Sequence, residues 1–165
     1  MQTSIMDDLT YISLNDHEQE EWEQVETLFR KMYQLMHEMG LMLPLERDGA
    51  AKWLSTARNT TGKFGKVVIA KDSGTVIAFA HGMVKFLPDY LGGHAVGLIT
   101  HIFVDKNFRD RQVGARLVAM LEEWFRFKRV HSVELQVISG NPDAMAFWKN
   151  LGFEEELRQF RKIMD

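Results

Sequence analysis

The sequence predicts a mixed α+β domain, with a mostly antiparallel central sheet built around one strand pair and flanked by about four helices. Three observations carry this. Apolar periodicity gives the order β α α β β β α β α β β, which is not the regular βαβ alternation of a dinucleotide fold. Val67 to Lys71, the turn Asp72-Ser73-Gly74 and Thr75 to Phe86 together read as a long hairpin. Gly97 to Leu121 reads as an apolar strand, a charged turn and a helix without interruption.

Leu9 to Leu14 alternates as a short strand does. Asn15 or Asp16 is placed to cap the next helix, whose first turns carry Glu18, Glu20 and Glu21 where the helix dipole favours them. Trp22, Val25, Leu28, Phe29, Met32, Leu35, Met36 and Met39 then fall at spacings of three and four, and Gly40 is a stop. This stripe reads as core packing. Met32, Met36, Met39 and Met42 also suit an adaptable apolar substrate wall, because Met side chains repack easily. Pro44 breaks the chain, and Arg47 to Ala57 reads as a second helix with Trp53 and Leu54 buried. After the hairpin, Leu87 to Gly93 is a loop. The strand Leu98 to Val104, the turn Asp105 to Gln112 and a helix from Val113 to near Phe127 follow. His131 to Ile138 reads as a strand, Ser139 to Pro142 as a turn, and Asp143 to Asn150 as a short helix closed by Leu151-Gly152. Phe153 to Ile163 has room for two more short strands.

The turn before the third helix has the chemistry of an anion site. Unpaired N–H groups and the positive end of the dipole lie at the first turn of a helix, where phosphate binds readily. Arg109, Arg111 and Arg116 add positive charge, and Gly114 permits a close approach to the backbone. An ordinary βα turn with solvated arginines has the same pattern.

With 165 residues, the chain is long enough for one domain with a real core, and residues 1–165 are read as one. The net charge of −3 argues against nucleic acid as a partner. The absence of cysteine excludes disulfides, thiolate metal sites and cysteine nucleophiles, and fits a reducing compartment such as the cytoplasm. No metal set is assigned. The segment M-Q-T-S-I-M-D-D-L does not read as a signal peptide, and no apolar run approaches the ~20 residues of a membrane helix, so no membrane partner is expected.

Two motifs resemble the GNAT superfamily of acyl-CoA-dependent N-acetyltransferases. I-F-V-D-K-N-F-R-D-R-Q-V-G-A-R-L is similar to the family's strand and pyrophosphate loop, Q/R-x-x-G-x-G/A, with Arg109 at its first position and Gly114 at its last. Gln112 stands where the middle Gly is usual. L-Q-V-I-S-G-N-P-D-A-M-A-F-W-K-N-L-G-F, Leu135 to Phe153, resembles the family pattern L-x-V-x-x-x-N-x-x-A-x-x-F-Y-x-x-L-G-F at nearly every fixed position. The resemblance covers roughly Val67 to Phe153. It implies a sheet splayed at a parallel strand pair, with acetyl-CoA as co-substrate in the gap. The pantetheine would pair with backbone groups of Ile102, Phe103 and Val104. The pyrophosphate would sit on the N–H groups of Arg109, Asp110, Arg111, Gln112, Val113, Gly114 and Ala115. Asn141 would hydrogen-bond the pantetheine arm, and Ala144, Phe147 and Trp148 would wall the other side. A backbone N–H at Phe103 or Val104 would polarise the thioester carbonyl.

The proton-transfer groups depart from the family pattern. Trp148 replaces the Tyr often used as general acid, Thr100 replaces a Glu of the central strand, and Gln136 replaces a Glu that some members carry on the second strand. The general base is therefore unassigned. His81 and His94, on or beside the hairpin, are candidates. Alternation places His101 on the face opposite Thr100, as a packed or surface histidine. Glu134 reads as a residue of a solvated or structural face. The reading is an N-acetyltransferase acting on a small-molecule or peptide primary amine by direct attack. Dimers are common in the family, so a second copy of this chain is a candidate partner. The alternative is a GNAT-fold acyl-CoA-binding or regulatory module with little turnover.

Overall fold

Residues 8–165 are described by a computed structural model. The segment read as lacking a signal peptide lies largely outside them.

The elements follow in order: β1 (Leu9–Ser13), α1 (Gln19–Glu38), α2 (Gly49–Thr60), β2 (Gly65–Asp72), β3 (Thr75–Phe86), β4 (Ala95–Val104), α3 (Val113–Phe127), β5 (Val133–Leu135) and α4 (Pro142–Asn150). They build one five-stranded sheet in the order β1-β2-β3-β4-β5. The first three pairings are antiparallel, and β4 with β5 is parallel. This is the mixed sheet with four helices that the sequence predicts.

Strand alternation divides the core into two layers. Val67 and Ile69 of β2 and Phe79 of β3 point to the α1–α2 face, against Trp22, Val25, Phe29, Met32 and Leu54. Val68 and Ala70 of β2 and Ala78 and Ala80 of β3 point the other way, against Leu117, Leu121 and Phe125 of α3 and Trp148 of α4. Alanines on that face let α3 lie close to the sheet. The methionine stripe divides accordingly: Met32 is in the core, whereas Met42 is 57% exposed in the α1–α2 connection.

Four expectations are corrected. Neither Asn15 nor Asp16 caps α1. Glu18 occupies the N-cap position without a capping bond, and its Oε2 instead accepts the Asn15 N–H at 2.7 Å. The second helix begins at Gly49 and runs to Thr60, beyond Ala57. The strand expected over His131 to Ile138 is only Val133–Leu135, because its continuation leaves β4 and has no partner to ladder with. No strand forms after Phe153: residues 154–165 are exposed and without regular structure. The acidic run Glu154 to Glu156, and Leu157, Phe160 and Ile163 spaced by three, give no period-two face for a sheet to bury.

Candidate active site

The parallel pairing of β4 with β5 runs only from Gly97↔Val133 to Ile99↔Leu135. Beyond Ile99 the two strands part, and among the described residues no strand lies beside the outer edge of Thr100 to Val104. Which backbone groups face this wedge follows from the ladder on the other side. Residues of an antiparallel strand turn their N–H and C=O alternately to one neighbour and the other. The Asp105 N–H donates to the Ile77 carbonyl at 2.8 Å, in register with Phe103↔Phe79 and His101↔His81. Phe103 therefore faces β3, and Ile102 and Val104 turn their backbone groups to the wedge. The Val104 carbonyl agrees, since it accepts from Arg109 Nε at 3.1 Å. Of the two amides considered for carbonyl polarisation, alternation leaves Val104 facing the gap and commits Phe103 to the sheet.

The loop from the wedge into α3 is tightly wound. Asp105 accepts the Asn107 N–H at 3.1 Å and opens a short 3-10 turn over Lys106–Phe108. Asp110 and Gln112 both take left-handed backbone angles, φ 63° and 62°. Gln112 is the residue before α3 and stands where the motif usually has glycine, so its conformation supplies the reason for that glycine. Gln112→Gly should relieve about 1 kcal/mol of backbone strain and raise Tm by roughly 2–4 °C. A lower Tm in thermal unfolding would show that the Gln112 side chain stabilises the turn instead. The guanidinium of Arg109 lies 5.7 Å from the Phe103 ring, that of Arg111 5.3 Å from Phe108, and that of Arg116 4.4 Å from Tyr11. An open groove of about 430 Å³ runs beside the helix start, lined by Leu9, Tyr11, Arg111, Gln112, Ala115 and Arg116. Gly114 lies where α3 meets α4: a Cβ there would come within 3.2 Å of Phe147 and 3.8 Å of Val104.

On the far wall, Asn141 is the N-cap of α4. Its Oδ1 accepts the Ala144 N–H at 3.1 Å, so this side-chain oxygen is committed to the helix. Ala144 and Phe147 stay partly exposed, whereas Trp148 is only 6% exposed and stands edge-on to Phe147 and Phe153. Trp148 is thus core support behind the wall. The turn before α4 passes close to the C-terminal end of α1, since any Cβ at Gly140 would fall 2.2 Å from the carbonyl oxygen of Met39, the residue after the helix. Gln136 is exposed and donates to Gln159 at 3.2 Å, and Glu134 is paired with Lys85.

The histidines are distributed differently from the sequence expectation. His94 precedes β4, six residues from Thr100, or about 20 Å along the strand, and it stacks on His131 with ring centres 5.0 Å apart. His94 therefore lies well away from the wedge. His81 is brought to the site. The register shifts from His81↔His101 to Gly82↔Ile99, so Thr100 is an extra residue in β4, a β-bulge. Such a bulge breaks alternation and puts two consecutive side chains on one face. His101 accordingly shares the α1–α2 face with Thr100, which corrects the expectation of opposite faces. The Thr100 hydroxyl lies 2.6 Å from His81 Nδ1, 2.9 Å from His101 Nδ1 and 3.2 Å from the His81 carbonyl oxygen. The ring centres of Phe29 and Trp53 stand 5.0 and 5.4 Å from His101, with Tyr33 at 6.1 Å. Burial pushes His81 down to about 4; burial, with His81 as a second cause, pushes His101 down to about 3. Both rings are neutral near pH 7. Sequence reasoning missed this cluster. Its one visible trace is Thr100-His101, two adjacent polar residues inside an otherwise apolar strand.

The model of the acetyltransferase (GNAT) family matches residues 15–153. The glucosamine 6-phosphate N-acetyltransferase of Trypanosoma brucei brucei is 28% identical over 109 residues, 66% of this chain and 71% of that protein. An uncharacterized N-acetyltransferase of Methanocaldococcus jannaschii is 41% identical over 61 residues, 37% of this chain and only 27% of that protein. Among solved structures, the aminoglycoside N-acetyltransferase AAC(6')-Iy in complex with CoA superposes with a TM-score of 0.75 at 19% identity, covering 94% of each chain. Likeness at that identity is a likeness of fold.

Proposed function

The chain belongs to the acetyltransferase (GNAT) family, and from that premise we propose that it moves an acetyl group from acetyl-CoA to a primary amine. The wedge carries the reading. It opens after Ile99 and Leu135, exposes backbone groups of Ile102 and Val104, and leads directly into the arginine-bearing start of α3. These features fit acetyl-CoA. Extended pantetheine would pair with the wedge-facing backbone, and pyrophosphate would meet the N–H groups at the start of α3 with Arg109 and Arg111 alongside. Acetyl-CoA supplies an acyl carbon activated as a thioester. The Val104 N–H, which faces the wedge, would stabilise negative charge on the carbonyl oxygen. The amine would attack the thioester directly in a ternary complex, and with no cysteine in the chain no thiol is available for an acyl-enzyme.

The acceptor must present a neutral nitrogen. For an alkylamine of pKa ~10.4 this costs about 4.6 kcal/mol at pH 7. The sequence relative named for glucosamine 6-phosphate supports a small-molecule amine as the acceptor class. No described helix is long and apolar enough to cross a membrane, which is compatible with a cytoplasmic site of action.

One observation favours a second reading, an acyl-CoA-binding module with little turnover. Thr100, Gln136 and Trp148 leave the usual acid and base positions without a carboxylate or phenol. A CoA-release assay separates the two, using acetyl-CoA against a panel of amino sugars, aminoglycosides, alkylamines, arylalkylamines and peptide N-termini. Amine-dependent release with at least one acceptor is the expected result. Acetyl-CoA binding without release for any of them would favour the module.

A further inference from the structure

The bulge at Thr100 joins two histidines through one hydroxyl, at the point where β4 leaves β5. The protons there can be counted. A threonine hydroxyl has one hydrogen and two lone pairs. All three Thr100 contacts are hydrogen bonds in one arrangement: the hydroxyl donates to the His81 carbonyl, and both histidines donate Nδ1–H to the hydroxyl oxygen. If the hydroxyl instead donated to His81 Nδ1, the His81 proton would sit on Nε2. Among the described residues that atom is buried without a partner in either arrangement; what favours the first is that donation to a ring nitrogen of His81 or His101 would give up the hydroxyl's bond to the His81 carbonyl. The first arrangement leaves both Nε2 atoms as bare lone pairs. His81 is sealed at 3% exposure, whereas His101 keeps part of its surface open.

We propose that Thr100 holds His101 in its Nδ1–H tautomer so that His101 Nε2 accepts the proton given up by the acceptor amine, with His81 as a positioning residue behind the hydroxyl. This rests on the acetyl-transfer reading. As the amine nitrogen bonds to the thioester carbon, one N–H proton passes to His101 Nε2, the C–S bond breaks, and its electron pair leaves on the CoA sulfur. The sulfur then takes up a proton from solvent or from the imidazolium. The amine becomes strongly acidic only once it is bonded to the carbonyl carbon, so an acceptor of low basicity suffices at that moment. His101 Nδ1–H stays bonded to Thr100 throughout, so accepting the proton requires no reorganisation. The groups facing His101 are Phe29 and Tyr33 from α1, Trp53 from α2 and His81 from β3. Tyr33 and His81 are the titratable ones, and neither is charged near neutrality.

Two measurements test this. Long-range 15N–1H spectra of the imidazoles, taken without acetyl-CoA, should show both rings protonated at Nδ1 and unprotonated at Nε2 from pH 5 to 8. An Nε2–H tautomer at His101 overturns the proposal whatever the turnover. In CoA-release assays with the best amine of the panel, His101→Ala should lose ~10²-fold in kcat. Its KM for acetyl-CoA and its acetyl-CoA-induced Tm shift should match wild type. Thr100→Val should fall about tenfold or more, within the same general-base effect, and Thr100→Ser should restore most of the rate. Turnover in His101→Ala within threefold of wild type overturns this inference alone. A wild-type protein that binds acetyl-CoA but turns over no amine overturns the enzyme reading, and this inference with it.

Discussion

Acetyl-CoA at a hundred times its Kd is expected to raise the Tm of the wild-type protein by roughly 5–10 °C and to leave Gly114→Glu unmoved. A ligand that binds only the folded state stabilises it by about 2.7 kcal/mol at that concentration, and each kcal/mol shifts a chain of this size by roughly 2–4 °C. The substitution acts twice. It places a carboxylate at the first turn of α3, where the dipole and Arg109, Arg111 and Arg116 favour an incoming pyrophosphate. It also pushes a side chain into Phe147, which would lie 3.2 Å from the new Cβ. Gly114→Ala separates these effects, because it brings the contact without the charge. The alanine variant should lose some apo stability and retain a clear shift. If it loses the shift as fully as the glutamate variant, the close approach of α3 to α4 controls binding, and charge does not. If wild type shows no shift at millimolar acetyl-CoA, the proposed cofactor site fails.

The parts of this molecule legible in its sequence are those governed by local chemistry. The hairpin strand Thr75–Phe86 and the helix Val113–Phe127 have the bounds that their sequence pattern predicts, because the strand is a largely apolar run buried on both faces, the helix carries one apolar face, and each follows a clear turn signal. The anion loop was legible for the same reason: arginines, a glycine and a helix start are adjacent in the chain. What depends on pairing between strands was not. The short β5 ends where β4 departs, and no property of Gln136, Val137 or Ile138 announces that departure. The bulge at Thr100 depends on the register between β3 and β4, set by residues nearly twenty positions apart, so strict alternation sent His101 to the wrong face. Asn141 shows the third kind of difficulty. Its place before Pro142 suits both a cofactor contact and a helix cap, and only the geometry shows its Oδ1 bonded to Ala144.

Acidification should destabilise this protein well above the range where carboxylates titrate. An unfolded histidine has a pKa near 6.5, whereas burial holds His81 at about 4 and His101 at about 3 in the folded protein. Between those values the unfolded chain binds more protons than the native one, so stability rises with pH and is lost as pH falls. Each fully buried neutral histidine contributes a slope approaching about 1.4 kcal/mol per pH unit below its unfolded pKa. For His81, 3% exposed, the loss between pH 6.5 and 4 amounts to roughly 3 kcal/mol by the same relation, and His101 adds to it in the same direction. This is a large share of the ~5–15 kcal/mol that holds a domain folded. Carboxylates do not obscure the window. Glu21, held down by its hydrogen bond to Lys71, loses its contribution only below its ordinary value of 4.5, and Asp48 beside Lys52 only below 3.8. Urea midpoints measured from pH 7.5 to 4.5 should therefore fall steadily below pH 6.5. His81→Leu fills the same space without a proton to lose, so it should remain near wild-type stability at pH 7.5 and show about half the slope. Midpoints that stay flat down to pH 5, or a leucine variant as acid-sensitive as wild type, would show that these histidines are solvated and free to charge. In that case His101 would titrate with solvent and show an inflection of its own in the rate of acetyl transfer.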